Sequence, residues 1–390
     1  MSINKNISTH SSLSPSGREG EGHLRVILSG GGTGGHIFHA VAIANEIKKL
    51  VPHVDILFVG ALGKMEMEKV PAAGYKIIGV PIAGLQRKLF TLANLKLPFL
   101  IIQSLLKTRK IISDFKPDVV IGTGGYASGP LLKAATSKGV PALLQEQNSY
   151  AGITNKILSK KANKICVAYE GMEKFFPKEK IILTGNPVRQ DILNITATRD
   201  EAYEFFKLDK TKKIILVVGG SLGAKGINEA MSEGLKALAD NHIQLIWQTG
   251  KLYFETAKQH CAKYESKNIK AVDFITRMDL AYTLADVVIS RAGAGAISEL
   301  CIVKKPSILV PLPTAAEDHQ TKNAMSLVNK NAAILIKDSE TKSELIKEAL
   351  ALINNDALLH EISINCGMLA RPNSTSIIAL EVLKLANYTL

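Results

Sequence analysis

Aromatic residues make up only 5% of the 390-residue chain, with a single Trp. That leaves little to stack on bases, and no nucleic-acid reading motif appears, so nucleic acid is not expected as a partner. The four cysteines (Cys166, Cys261, Cys301, Cys366) are widely spaced, with no C-x-x-C pair and no histidine at ligand spacing. Cys166 and Cys301 lie in apolar runs and read as reduced core residues. No window approaches about 18 consecutive apolar residues, so no membrane span is expected. Residues 1–22 are polar and rich in Ser and Gly, without the apolar stretch of a signal peptide, and read as a disordered tail. Neither Asp-x-Asp nor G-x-x-x-x-G-K-[ST] occurs. The first absence removes the usual carboxylate pair for a metal-held diphosphate, the second a nucleotide-hydrolysing phosphate loop.

Acidic residues are scarce in one half only. Residues 1–190 hold 25 Lys+Arg against 12 Asp+Glu, whereas residues 191–390 hold 23 of each, so the whole net charge of +13 lies in the first half. Such an asymmetry points to a polyanion facing that half, either nucleic acid or an anionic membrane surface. Within it, Gly84–Ile112 interleaves apolar Leu85, Leu89 and Phe90 with Arg87, Lys88 and Lys96. An apolar face rimmed by cations suits the headgroup boundary of an anionic bilayer, and also fits a core helix with a solvated charged face. Together with the charge asymmetry, the membrane reading is favoured.

Two glycine-rich turns stand half the chain apart, LRVILSGGGTGGH (24–36) and KIILVVGGSLGAKG (213–226). Each ends a short apolar run and opens a helical pattern, which reads as buried strand, tight turn and helix. Glycine lets N–H groups approach an anion, and the helix start adds unpaired donors and partial positive charge. Thirteen strand-like runs alternate with helical stretches. Seven lie between Arg25 and Leu183 and six between Ile214 and Ile336, predicting two doubly wound parallel α/β units. The break is expected near Gly185-Asn186-Pro187, and Ser374–Leu390 reads as a helix that could pack back on the first unit.

Gly30-x-Gly32-x-x-Gly35 satisfies a dinucleotide pattern, but the second strand ends in Gly60, with no acid after it to hold a ribose. A nicotinamide-dependent oxidoreductase is therefore disfavoured, and a non-catalytic binding module is the remaining alternative. His36 follows the first turn, where a side chain projects toward the crevice beyond the strand ends. A neutral imidazole there can take a proton from a hydroxyl, or simply cap its own loop. Arg189, beside the break, can supply charge to a leaving diphosphate, or form a surface ion pair. The turn Gly219–Ala224 with Ser221 fits phosphate binding, and Glu299 fits either a hydroxyl-binding or a helix-start carboxylate.

In matching order, GGGTGGH (30–36), GTGGYASGP (122–130), QEQN (145–148), GNPVR (185–189), GGSLGAKGIN (219–228), SRAGAGAISE (290–299) and EDHQTKNA (317–324) resemble the family 28 glycosyltransferases, in particular the peripheral membrane N-acetylglucosaminyltransferases of peptidoglycan synthesis. The resemblance runs from about Leu24 to the C-terminus. It implies a GT-B fold of two Rossmann-like domains with a cleft: a tail at 1–22, an acceptor-binding and membrane-docking domain at 23–187, a donor domain at 188–372, and a returning helix at 373–390. It implies UDP-N-acetylglucosamine as donor, the undecaprenyl-diphosphate-linked muramyl-pentapeptide (lipid I) as acceptor, and lipid II as product. Inversion at the sugar carbon is implied, with no cofactor and no metal, at the cytoplasmic face of the inner membrane, with cell-wall synthesis and division proteins as partners.

By the same resemblance His36 is the base, and Thr33, Gly34, Gly35, Asn148, Arg189, Ser221, Ile275, Ala294, Gly295, Ala296, Ile297, Ser298, Glu299 and Gln320 form the donor site. Tyr126, Ser128 and Glu146 belong to the acceptor site, and Leu85, Arg87, Lys88, Leu89, Phe90 and Lys96 to the docking surface. Two departures stand out. Gln145 precedes EQN where relatives often carry His, and His319 replaces a sugar-contacting glutamine beside Gln320. Ser307 takes the place of a second glutamate found in retaining relatives of this fold, in keeping with inversion.

Overall fold

The computed structural model describes residues 23–82, 92–220 and 222–390, the side chains of 92–97 excepted. The expected tail at 1–22, the calls on Leu85, Arg87, Lys88, Leu89, Phe90 and Ser221, and the side chain of Lys96 lie outside the described residues.

The first sheet comprises β1 (Arg25–Ser29), β2 (Asp55–Ala61), β3 (Lys76–Val80), β4 (Val119–Gly122), β5 (Ala142–Glu146), β6 (Lys164–Val167) and β7 (Ile181–Leu183). Its order is β3-β2-β1-β4-β5-β6-β7, with every pairing parallel. The second comprises β8 (Ile214–Val218), β9 (Gln244–Gln248), β10 (Ile269–Val272), β11 (Val287–Ser290), β12 (Ser307–Leu309) and β13 (Ile334–Leu335), in the parallel order β10-β9-β8-β11-β12-β13. Two Rossmann-like parallel sheets are therefore present, as the alternation of elements predicts.

Both faces of each sheet are covered, which is why the strands read as near-continuous apolar runs. In β1, Ile27 joins the core on one face while Val26 and Leu28 join the core on the other. In each sheet the strand order reverses beside the first strand, between β1 and β4 and between β8 and β11. A crevice opens at such a reversal, beyond the carboxyl ends of the strands. Both glycine turns and the starts of their helices lie there.

Helix Ser374–Leu385 lies against helix Gly34–Leu50 of the first lobe, and Ile378, Ala379, Val382 and Leu383 share the core of Val26, Leu28 and Ile43. Ile378, Val382 and Leu383, each almost fully buried, contribute about 1.5–3 kcal/mol apiece relative to exposure. The Ser376 hydroxyl donates to Glu46 Oε1 at 2.7 Å. The chain end thus ties the second lobe back to the first.

All four cysteines are buried free thiols, and burial pushes Cys166 up to about 12. Among the described residues no helix is long and apolar enough to cross a membrane. Helix Leu92–Phe115 covers much of the basic apolar segment, and Phe99, Ile102 and Leu106 on it are exposed.

Candidate active site

The turn after β1 is built by close backbone approach. A Cβ on Gly30 would lie 2.0 Å from Thr123 Oγ1, whose hydroxyl donates to the His36 carbonyl at 2.8 Å. Gly125, at φ +87°, would put a Cβ 2.2 Å from the Gly31 carbonyl oxygen, so only glycine fits there. The two turns of the first lobe therefore interlock, and His36 stands at their junction. Its ring lies against Gly124, where a Cβ would be 3.0 Å from Cε1.

His36 Nδ1 is 3.1 Å from the Gly31 carbonyl oxygen. A carbonyl only accepts, so Nδ1 carries the proton and Nε2 keeps its lone pair. Burial holds the imidazole below its ordinary pKa, against the carbonyl contact, which raises it; His319, across the cleft, lowers it further. The ring is therefore poised as a neutral base. Thr33, Gly34 and Gly35 follow the turn, Thr33 and Gly35 exposed and Gly34 packed near the Phe38 ring.

The acceptor-side candidates separate. Tyr126 is half exposed, whereas Ser128 is fully buried and its hydroxyl donates to the Gly125 carbonyl at 2.8 Å. Glu146 is also buried, and it accepts from Asn148 N–H (3.1 Å), Gly152 N–H (3.1 Å) and Asn155 Nδ2 (2.9 Å). Its carboxylate shapes the loop after β5, and burial raises its pKa. Of this trio only Tyr126 is exposed.

In the second lobe the helix Ala294–Ile302 starts at Gly293, where an added Cβ would meet nothing within 4 Å among the described residues. Ala294, Gly295 and Ala296 form its first turn with partly exposed backbone. Ile297 belongs to the core instead, and the Ser298 hydroxyl donates back to the Ala294 carbonyl at 2.9 Å. Glu299 receives the Tyr282 hydroxyl at 3.1 Å and Arg189 Nε at 3.2 Å. Burial raises its pKa, opposed by the Arg189 charge and the Tyr282 hydrogen bond. Arg189 also approaches Asp191 at 3.6 Å. These two donor-site candidates thus form an ion pair with each other, 110 residues apart in sequence. The Ile275 N–H is occupied by Gln248 Oε1 at 2.9 Å, and Gln248 Nε2 reaches the Gly220 carbonyl at 3.1 Å. Gln320 Oε1 accepts the Leu312 N–H at 2.9 Å, which leaves its amide NH2 to address a sugar hydroxyl.

Contacts that the sequence reading did not foresee join the lobes. Asn323 Nδ2 donates to Asn148 Oδ1 at 3.0 Å, and the Ser149 N–H donates to Asn323 Oδ1 at 2.9 Å. Asn186 receives Gln145 Nε2 at 2.9 Å and donates to both the Gln147 carbonyl (3.0 Å) and the Ser298 hydroxyl (3.1 Å). Gln145 is thus buried and bound to Asn186. A cavity of about 610 Å³ also lies between the lobes, lined in part by Tyr150, Tyr169, Lys322 and Arg371. Neither His36 nor Arg189 lines it, so the candidate reaction centre lies elsewhere in the cleft.

A family model described as glycosyltransferase family 28 N-terminal domain matches residues 26–167, and the family's C-terminal domain matches residues 214–365. The chain belongs to glycosyltransferase family 28. A relative from Flavobacterium psychrophilum is 56% identical over 361 residues, covering 93% of this chain and 97% of its own length. It carries the name UDP-N-acetylglucosamine–N-acetylmuramyl-(pentapeptide) pyrophosphoryl-undecaprenol N-acetylglucosamine transferase. A relative of the same name from Phocaeicola vulgatus is 56% identical over 368 residues, covering 94% and 98%. Among solved structures, MurG of Acinetobacter baumannii superposes with a TM-score of 0.77 at 31% identity, over 93% of this chain and 99% of that one. The UDP-GlcNAc 2-epimerase of Neisseria meningitidis superposes at 0.64 with 16% identity, a likeness of fold alone. The chain is accordingly a hexosyltransferase of the GT-B fold.

Proposed function

We propose that this glycosyltransferase moves N-acetylglucosamine from UDP-N-acetylglucosamine to the C4 hydroxyl of the muramyl sugar of lipid I, with inversion, giving lipid II for peptidoglycan. The reading assigns acceptor binding and membrane docking to residues 23–187, donor binding to 188–372, and a tie between them to the helix after 372. It places the protein peripherally on the cytoplasmic face of the inner membrane, where the excess of cations in the first half meets anionic headgroups.

The observation that carries it is the tautomer of His36: Nδ1 is committed to the Gly31 carbonyl, which leaves the lone pair on Nε2. In the proposed step Nε2 takes the proton of the acceptor hydroxyl as that oxygen attacks the anomeric carbon. The bond to UDP breaks on the opposite side of the sugar. Orientation of nucleophile and base supplies much of the acceleration. The departing diphosphate gains charge, which the N–H groups at the start of helix Ala294–Ile302 and the Arg189 guanidinium can stabilise. Arg189 can turn a terminal nitrogen to an oxyanion while Nε stays on Glu299, so that carboxylate both aims the cation and faces the ribose.

The test is transfer of labelled N-acetylglucosamine to a lipid I analogue in the presence of EDTA. Transfer that survives chelation supports the reading. Absence of transfer, with hydrolysis or epimerisation of the donor instead, overturns it. Vesicle co-sedimentation that weakens with added salt checks the membrane assignment.

A further inference from the structure

We infer that Glu66 is a positioning residue for this transfer, acting on His36 through one peptide group; the inference rests on His36 being the base. The group is the peptide joining Gly31 and Gly32. Its N–H, on Gly32, donates to Glu66 Oε2 at 3.1 Å, and its carbonyl, on Gly31, receives His36 Nδ1 at 3.1 Å. The N–H and C=O of a trans peptide point in opposite directions, so carboxylate, peptide and imidazole stand in a row.

The site is built around this carboxylate. Glu66 is 1% exposed, and its other oxygen accepts the Ala61 N–H at 3.0 Å. A Cβ on Gly31 would lie 2.1 Å from Glu66 Oε1, and one on Gly60 would lie 2.6 Å from Glu66 Cγ. Two glycines, one in the turn after β1 and one in β2, thus leave room for a single side chain.

The chemistry follows from charge. A carboxylate at one end of a hydrogen-bonded chain polarises the peptide and strengthens its carbonyl as an acceptor. That fixes the Nδ1–H tautomer and steadies the imidazolium formed when Nε2 takes the acceptor proton. The Glu66 charge also opposes the desolvation that lowers the His36 pKa. The other titratable group acting on the ring is His319 from the second lobe, and the ring in turn acts on His39 of the same helix.

The experiment compares the full-length wild type, Glu66→Gln and His36→Ala across a pH series, with UDP-N-acetylglucosamine and a soluble lipid I analogue. For Glu66→Gln, kcat should fall on the order of ten- to a hundredfold, the loss typical when an oriented histidine loses its outer partner. KM for the sugar nucleotide should stay within about twofold, and the acid limb of the kcat profile should move to lower pH. An inactive His36→Ala beside a Glu66→Gln variant with wild-type kcat and an unmoved limb overturns the relay alone. A near-normal His36→Ala overturns the base assignment itself. Should Glu66→Gln fail to fold, nitrogen NMR of the histidine-labelled wild type decides: the Nδ1–H tautomer at His36 is expected, and the Nε2–H tautomer contradicts the inference.

Discussion

The turn after β1 is packed from within. Thr123, Gly124, Gly125 and Glu66 press on it from three sides, and what emerges is one imidazole held in one tautomer. The turn after β8 likewise joins a strand, glycines and a helix, but it is open at one of its glycines. A Cβ on Gly220 would meet nothing within 4 Å among the described residues, and the same holds at Gly293, which opens the neighbouring helix. Gly223 is tight there against the Thr249 carbonyl and Gly219 against the Ala224 N–H, both contacts to backbone. Similar motifs therefore differ inside: in one lobe glycine admits protein groups that aim a side chain, and in the other Gly220 and Gly293 leave space beside the backbone. Charge divides along the same line, with the whole excess of cations in the first half.

The sharpest way to break this contrast is to remove the aimed side chain. His36→Ala should lower kcat by about 10²–10⁴-fold, the usual contribution of a general base, with donor affinity retained. Because burial lowers the His36 pKa, the wild-type acid limb should lie below the ordinary histidine value; a limb above it speaks against His36.

The two interiors should also differ in their tolerance of a methyl group. Gly125→Ala forces a Cβ into the Gly31 carbonyl at φ +87°, a backbone overlap that no rotamer relieves. A loss of about 3–5 kcal/mol in denaturant unfolding is expected. Gly220→Ala has the same φ of +87° in open space, so the left-handed conformation alone should cost about 1–2 kcal/mol. Equal losses would dissolve the comparison.

Arg189→Ala should lower kcat roughly a hundredfold, as for loss of one preorganised donor to a developing anion. It should also weaken UDP binding, because Glu299 is left without its cation. Unchanged UDP affinity would make the Arg189–Glu299 pair structural only.

The smallest effect concerns His39, buried in the first lobe with its pKa lowered to about 3, chiefly by desolvation. Its folded pKa lies below the unfolded one, so between about pH 6.5 and 3 the unfolded chain binds a proton that the folded chain refuses. Stability is complete above that window and falls as pH drops through it, by up to roughly 1.4 kcal/mol per unit. His39→Asn should flatten the decline of Tm with acid; an unaltered slope would assign the decline elsewhere.

Much of the fold is legible because it rests on local pattern. Apolar runs ending in glycine mark β1 and β8, and the final apolar helix is visible before its docking surface is known. His36 is legible too, since its place after the turn is a matter of adjacency. The pairings are not. Arg189 meets Glu299, and Asn148 meets Asn323, across 110 and 175 residues, distances at which spacing says nothing. Glu66 sits in KMEMEK as one charge among several, and only the space left by Gly31 and Gly60 reveals a buried carboxylate. Ser128 stands among the acceptor-site candidates by resemblance, and its buried hydroxyl donates to the Gly125 carbonyl.

The central claim, that one turn carries the base and the other lobe carries the diphosphate, is tested most directly by titrating UDP into the wild type, His36→Ala and Arg189→Ala. The account predicts wild-type affinity for His36→Ala and a clear loss for Arg189→Ala. Loss of UDP binding in His36→Ala, with Arg189→Ala unaffected, would contradict it.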